Sequence, residues 1–263
     1  MGKYKMKKYL FISLMFFLLT ALSAENLVKV QGGKMRFYMY LDGERIIHDI
    51  RVKDFYIGDK EITVAQWREF DNAVKYGFEW EGHYWGDIKD LSPGENCPIQ
   101  LVKIEDVVSY CNWRSAKEGY EPVYCYGHGR MYTDTEADGY RLPSADEWDY
   151  AARGGRKTRR YIYAGSNDPY EVAWVDLPYE EGTHPVGTKK PNELGLYDMS
   201  GNIREWTWPD NGIPFPTGTS EEEAHLRGGD WFGDTESARL DTDKTVQIYL
   251  WNCVGFRVAR NAE

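Results

Sequence analysis

The sequence predicts one loop-rich, exported domain of mixed strand and helix over residues 25–263, and three observations carry that prediction. The N-terminus has the layout of an export signal. Three capped helical patterns follow a strand-rich opening, and the chain beyond residue 160 is dominated by turns, Tyr, Trp and Pro. No repeat, low-complexity tract or linker interrupts residues 25–263, and Gly and Pro are scattered throughout, which argues for a single domain.

The export signal begins with Lys3, Lys5, Lys7 and Lys8, continues through the apolar run LFISLMFFLLTAL and ends on the small residues Ser23 and Ala24. Cleavage is expected after Ala24, giving a signal peptide at 1–24. The run is short for a spanning helix of about 20 residues, and no Cys follows it to carry a lipid. The removed segment holds four Lys and no carboxylate, so the formal charge falls from −10 to −14. A chain of that charge is not expected to bind nucleic acid or an anionic membrane surface.

Hydrophobic residues make up 42%, enough for a buried core, while a mean hydropathy of −0.63 with 10 Trp and 20 Tyr places much of the apolar area in amphipathic rings. VKVQGG followed by KMRFYMYLDG reads as an early β-hairpin, with RVKDFYIGDKEIT supplying another strand. Thr63 precedes a helix, VAQWREFDNAV, whose Val64, Trp67, Phe70 and Val74 fall at helical spacing. The second helix, IEDVVSYCNWRSAKEG, ends on Gly119. The third, ADEWDYAARGG, follows Pro143 and Ser144, with Ser144 and Glu147 spaced as a capping box and Gly154 and Gly155 as the stop. Cys97, Cys111, Cys125 and Cys253 fit no metal spacing; one or two disulfides are open to them outside the cytoplasm, and Cys111 in its amphipathic helix reads equally as a buried thiol.

Four segments then occur in a distinctive order: GYRLPSADEWDYAARGG (139–155), NELGLYDMSGNIREW (192–206), LRGGDWF (226–232) and GFRVAR (255–260). Together they resemble the formylglycine-generating enzyme, or sulfatase-modifying factor, family, and QGG, FYIGDKEITVAQWREF and VVSYCNWRSAKEG extend the resemblance over nearly all of the exported chain. The resemblance implies an α+β, C-type-lectin-like fold with much irregular structure. Arg141, Glu147, Arg153, Glu205, Arg227 and Arg257 stand in these segments among Trp, Tyr and Gly, and buried charges must be paired to be tolerated. They are assigned to the scaffold.

Oxidases of the family carry two Cys shortly after the RGG-aromatic motif, which bind copper and activate oxygen. In this sequence those positions are Gly233 and Ala238, which offer no thiolate. No redox cofactor is therefore expected, and the chain is read as noncatalytic. The five His (48, 83, 128, 184 and 225) are isolated in sequence and read as surface or packed residues, and Cys253 has no neighbouring His to activate it. The resemblance also implies one calcium ion at DMSGNIREW, held by Asp198, Gly201, Ile203 and Glu205; the competing reading pairs Glu205 with an Arg. The family's other calcium position is degraded, because its side-chain ligand falls on Val172.

The sequence resembles a noncatalytic branch of this fold, the variable proteins of diversity-generating retroelements, in which a C-terminal segment is mutated at adenines. Here the candidate variable region is 227–258, and the chain ends just after GFRVAR. Randomised adenines of an Asn codon cannot yield Lys, Glu or Gln, which disfavours Glu236, Lys244 and Gln247. Phe232, Gly233, Asp234, Leu240, Asp241, Asp243, Tyr249, Leu250, Asn252 and Cys253 are allowed, and Trp251 through another codon. These form the expected ligand-binding set, for an unknown protein or other ligand. VQIYLW also reads as a half-buried strand with Val246, Ile248 and Leu250 inward and Tyr249 and Trp251 outward. A fixed-specificity structural or interaction domain of the cell envelope, and a formylglycine-type or other thiol enzyme, are the alternatives.

Overall fold

The structure is a computed structural model and describes residues 26–41, 44–74, 90–127, 130–134, 136–208, 224–242, 245–246 and 253–262. Residues 1–25 and 247–252 are among those outside it.

Strand β1 (Leu27–Val30) pairs antiparallel with β4 (Phe55–Gly58), while β2 (Gly33–Leu41) and β3 (Glu44–Val52) form their own two-stranded ribbon. This corrects the hairpin expected between the first two segments. Asp42-Gly43 lies between the paired ends Leu41 and Glu44, a strong two-residue hairpin signal, so KMRFYMYL turns onto ERIIHDIRV rather than back onto VKV. Gly32 allows the close passage: a Cβ there would run into the Lys53 backbone.

The helices start and stop where their local chemistry dictates. Helix α1 (Val64–Val74) buries Val64, Trp67 and Phe70. Helix α2 (Ile104–Glu118) ends on Gly119 at φ +84°, a left-handed stop that glycine adopts without a Cβ penalty. Helix α3 (Ala145–Ala152) has the full capping box: Ser144 Oγ accepts from Glu147 N–H, and Glu147 Oε2 accepts from Ser144 N–H at 2.9 Å.

Strands β5 (Tyr124–Gly127) and β6 (Arg130–Thr133) form a second ribbon. The first four-stranded sheet has the order β1-β4-β12-β7, with β7 at Tyr140–Arg141 and the C-terminal β12 at Ala259–Asn261 between β4 and β7. The second runs β10-β9-β8-β11, from β10 (Thr245–Val246), β9 (Ala224–Arg227), β8 (Arg204–Trp206) and β11 (Val254–Gly255). The motifs GNIREW, LRGG and GFRVAR therefore meet in these sheets.

One core gathers Trp67, Phe70, Tyr110 and Phe256, with Trp67 stacked on Tyr110 at 5.6 Å and Phe256 edge-on to both. A second lies under the β2–β3 ribbon around Phe37, Ile57, Trp148 and Leu240. Arg141 grips Glu147 through two bonds of 2.6 and 2.7 Å, Arg227 donates to Asp149 at 3.0 Å, and Arg257 grips Glu205 through two bonds of 2.7 Å. These are the scaffold pairs expected from burial. All four cysteines are free thiols, Cys97, Cys111 and Cys253 being buried.

Candidate functional site

Beyond β9 the chain turns through Gly228 (φ +96°) and Gly229 (φ +81°), and a Cβ on Gly229 would clash with the Ser237 backbone. This tight turn drives Trp231 fully inside, where its Nε1–H donates to the Tyr179 carbonyl at 3.2 Å. Phe232 is left on the surface, edge-on to Tyr179 at 5.5 Å, with each ring 39% exposed. Asp234 is exposed and caps the short 3-10 turn Thr235–Ala238, accepting from Ser237 N–H at 2.9 Å. Asp241 receives two bonds of 2.8 Å from Arg239, which hold its carboxyl below the usual range.

The two positions to which the family resemblance assigns the oxidases' cysteines, Gly233 and Ala238, are closed. Gly233 N–H donates to Asp230 Oδ1 at 2.7 Å, and a Cβ on Gly233 would collide with the Ser237 hydroxyl. Ala238 is wholly buried among Tyr163, Val172, Ala173 and Val175. Asp230 itself is buried; Arg204 Nε lies 2.6 Å from its Oδ2, an ion pair whose N–H does not point squarely at the oxygen. Sequence reasoning missed this pair, although an Arg inside GNIREW facing an Asp inside RGGDW were signals that could have suggested it.

Two residues of the expected binding set are corrected by burial. Leu240 is 3% exposed in the second core, and Cys253 is 1% exposed against Leu91 and Trp231, so neither side chain faces a ligand. Burial and the neighbouring Asp230 push the Cys253 thiol well above its ordinary pKa, the opposite of what a nucleophile needs. Cys253 also sits at φ +86°, where a side chain is strained. Asp243, Tyr249, Leu250, Trp251 and Asn252 lie outside the described residues.

The DMSGNIREW loop is built on three left-handed residues: Asp198 (φ +55°), Gly201 (φ +75°) and Asn202 (φ +62°). Asp198 Oδ2 accepts from Gly187 N–H at 2.6 Å, while its Oδ1 is buried without a hydrogen bond. Glu61 lies close by with Oε2 in the same condition, and its Oε1 accepts from Asn202 at 3.1 Å. Burial raises the pKa of both carboxyls. Ile203 is buried. Glu205 has both oxygens engaged: Arg257 Nη2 on Oε1, and Arg257 Nε with Trp148 Nε1 on Oε2 at 2.7 and 2.8 Å. The ligand set Asp198, Gly201, Ile203 and Glu205 does not fit calcium in this arrangement, because its second carboxylate is held by an arginine. Among the described residues no group of three or more His, Cys, Asp or Glu is placed to hold a metal ion.

With this geometry in view, the class is settled by comparison: the chain belongs to the family of sulfatase-modifying factor enzyme 1-like domains, whose model matches residues 19–262. It is 33% identical over 250 residues to the chaperone protein LppX of Paenibacillus barcinonensis, covering 82% of each chain. It is 27% identical to the inactive C-alpha-formylglycine-generating enzyme 2 of Bos taurus, over 90% of this chain and 88% of that one. It is also 32% identical to the formylglycine-generating enzyme of Mycobacterium tuberculosis, over 69% of this chain and 73% of that one. Among solved structures, Treponema denticola variable protein 1 superposes with a TM-score of 0.69 at 24% identity, over 90% of this chain and 95% of that one, which shows the fold. Relatives thus include both active and inactive proteins, and the chain's own residues must decide between them. No helix among the described residues is long and apolar enough to cross a membrane.

Proposed function

We propose that this protein is a noncatalytic, exported binding protein that presents its C-terminal segment on a rigid scaffold to a partner protein or other ligand. The observation that carries the reading is the closure of the family's cysteine positions: Gly233 and Ala238 supply no thiol, and neither site has room for one without displacing Ser237 or the packing around Val172. The remaining thiol there, Cys253, is buried with a raised pKa. Copper-dependent chemistry at this place has no ligand. What the surface offers instead is recognition: exposed Phe232 and Tyr179 with Asp234 beside them, rigid aromatics that give contact area at small entropic cost.

The test is direct. Incubated with copper, oxygen and a peptide bearing the cysteine motif of a sulfatase, the protein should leave the peptide mass unchanged. Conversion of the cysteine to formylglycine would sink the noncatalytic reading. Diversification of 227–258 is the finer part of the proposal. The likeness to a chaperone supports a second version, in which the same surface has one fixed protein partner.

A further inference from the structure

A cavity of about 670 Å³, with neither Gly233 nor Ala238 in its lining, lies between β2 and the segment from Tyr150 to Ile162. Its walls concentrate positive charge in a protein whose formal charge is −10: Lys34, Arg36, Arg153, Arg156 and Arg160 line it, and Asp241 is the only acid among the described lining residues. That acid is already held by Arg239. Arg36 is neutralised by Asp49 on the neighbouring strand. Lys34, Arg156 and Arg160 form no ion pair with a described carboxylate.

Arg153 forms the floor. Its guanidinium lies 3.8 Å from the Phe37 ring centre, it donates to the Leu240 carbonyl, and its Nε is buried with no hydrogen-bond partner. The nearby carboxylates Asp149 and Asp241 are committed to Arg227 and Arg239. Burial lowers the Arg153 pKa despite them, as expected of a cation short of counter-charge. Arg156 is fixed by its Nε–H bond to the Gly32 carbonyl at 2.7 Å. Arg160 holds a left-handed backbone, φ +58°, a conformation that costs energy for a residue with a side chain and is found at functional sites. Gly33 lets β2 pass close to Tyr150, since a Cβ there would meet the Tyr150 hydroxyl at 2.7 Å.

The outer edge of β2 adds donors. Tyr40 N–H reaches across that edge to the Asp241 carbonyl, and by the two-residue period of a strand the amides of Lys34, Arg36 and Tyr38 face the same way. Tyr161 and Ile162 supply apolar wall, the Phe37 ring being already covered by His48 and Arg153. A volume in this range suits a small organic molecule, and fixed arginines beside edge amides suit an oxyanion.

We propose that this cavity binds an organic anion: a phosphoryl, sulfuryl or carboxylate head directed at Arg153, Arg156, Arg160 and Lys34, carried on an apolar body that packs against Tyr161 and Ile162. The site is separate from the Phe232 surface, and its existence does not depend on the reading given above for that surface.

Calorimetric titration of the purified protein with phenyl phosphate tests it, with inorganic phosphate, phenol and benzoate as companion probes. Phenyl phosphate is expected to bind with a Kd below about 1 mM, at least about tenfold tighter than inorganic phosphate or phenol. Added salt should weaken it. Benzoate binding tighter than phenyl phosphate would assign a carboxylate head, and weaker binding a phosphoryl or sulfuryl head. The surface variant Lys34→Gln/Arg160→Gln, checked for an unchanged melting temperature, should lose about tenfold or more in affinity; if it unfolds, Lys34→Gln alone serves with the same expected direction. No binding of phenyl phosphate or benzoate, equal affinity for inorganic phosphate, or indifference to the substitutions would overturn the proposal.

Discussion

Arg257 is the residue on which the arrangement of the four family-like motifs should depend most. It and Glu205 are both 0% exposed, and the guanidinium makes four bonds: two to Glu205 at 2.7 Å, one to the Tyr197 carbonyl at 2.9 Å and one to the Gly58 carbonyl at 3.2 Å. It thereby ties β4, the DMSGNIREW loop, β8 and the C-terminal strand together. Replacing Arg257 by Met keeps much of the side-chain volume and leaves Glu205 with only Trp148 as partner. Breaking one half of a buried pair in this way costs about 3–5 kcal/mol, because the surviving charge is stranded in a medium that does not solvate it. For a domain of this size that corresponds to a fall in Tm of roughly 6–20 °C. Urea unfolding followed by tryptophan fluorescence reads the change in midpoint and slope. The double variant Glu205→Gln/Arg257→Met removes the stranded charge and should be less destabilised than Arg257→Met alone. A single variant within about 1 kcal/mol of the parent, or a double variant worse than the single, would refute the view that this pair is the central fastening.

Three further outcomes follow from the same geometry. Burial raises the Asp106 carboxyl to about 6, above its ordinary 3.8, so the folded state holds a proton that the unfolded chain releases, and stability falls as pH rises from about 4 to 6. Asp106→Asn should therefore be more stable than the parent at pH 7.5 by about 1–2 kcal/mol, an allowance for its partial exposure, with the gain gone by pH 4; no gain at pH 7.5 would refute it. Because Glu205 is held by Arg257, millimolar calcium should leave the melting temperature unchanged relative to chelator, and a clear rise would mean the loop rearranges to bind the ion. Ser144→Ala removes one arm of the capping box and should cost about 1 kcal/mol in urea unfolding, with an unaltered fold by circular dichroism.

Local chemistry was legible in the sequence wherever it is decided within a few residues. Ser144 with Glu147, Gly119 and the apolar spacing from Val64 to Val74 place three helices close to where they lie. The strand partners of the N-terminal segment were not legible by the same reasoning, since β1 pairs with β4, whose other neighbour, β12, arrives from the far end of the chain. The buried charges could be recognised as scaffold, but not their partners: Glu205 could serve an arginine or an ion, and only the approach of Arg257 decides it. Codon reasoning is blind to burial, which is why it admitted Leu240 and Cys253 to the binding set. Arg153 shows the opposite error. Its place among Trp, Tyr and Gly reads as a paired scaffold charge, yet it lines a cavity with an unpartnered Nε, a fact that depends on the distant Phe37 and Leu240.

The scaffold and the closed cysteine positions set the frame, but the central claim is that the C-terminal segment is varied while the rest is kept. Sequencing the encoding locus and the DNA downstream tests it most directly. The account predicts a near-copy of the segment encoding residues 227–258 that differs only at adenines, beside a reverse transcriptase gene, with the differences falling on surface positions such as Phe232 and Asp234 and sparing Trp231 and Arg257. A locus with neither the copy nor the reverse transcriptase would contradict diversification and leave a binding domain of fixed specificity.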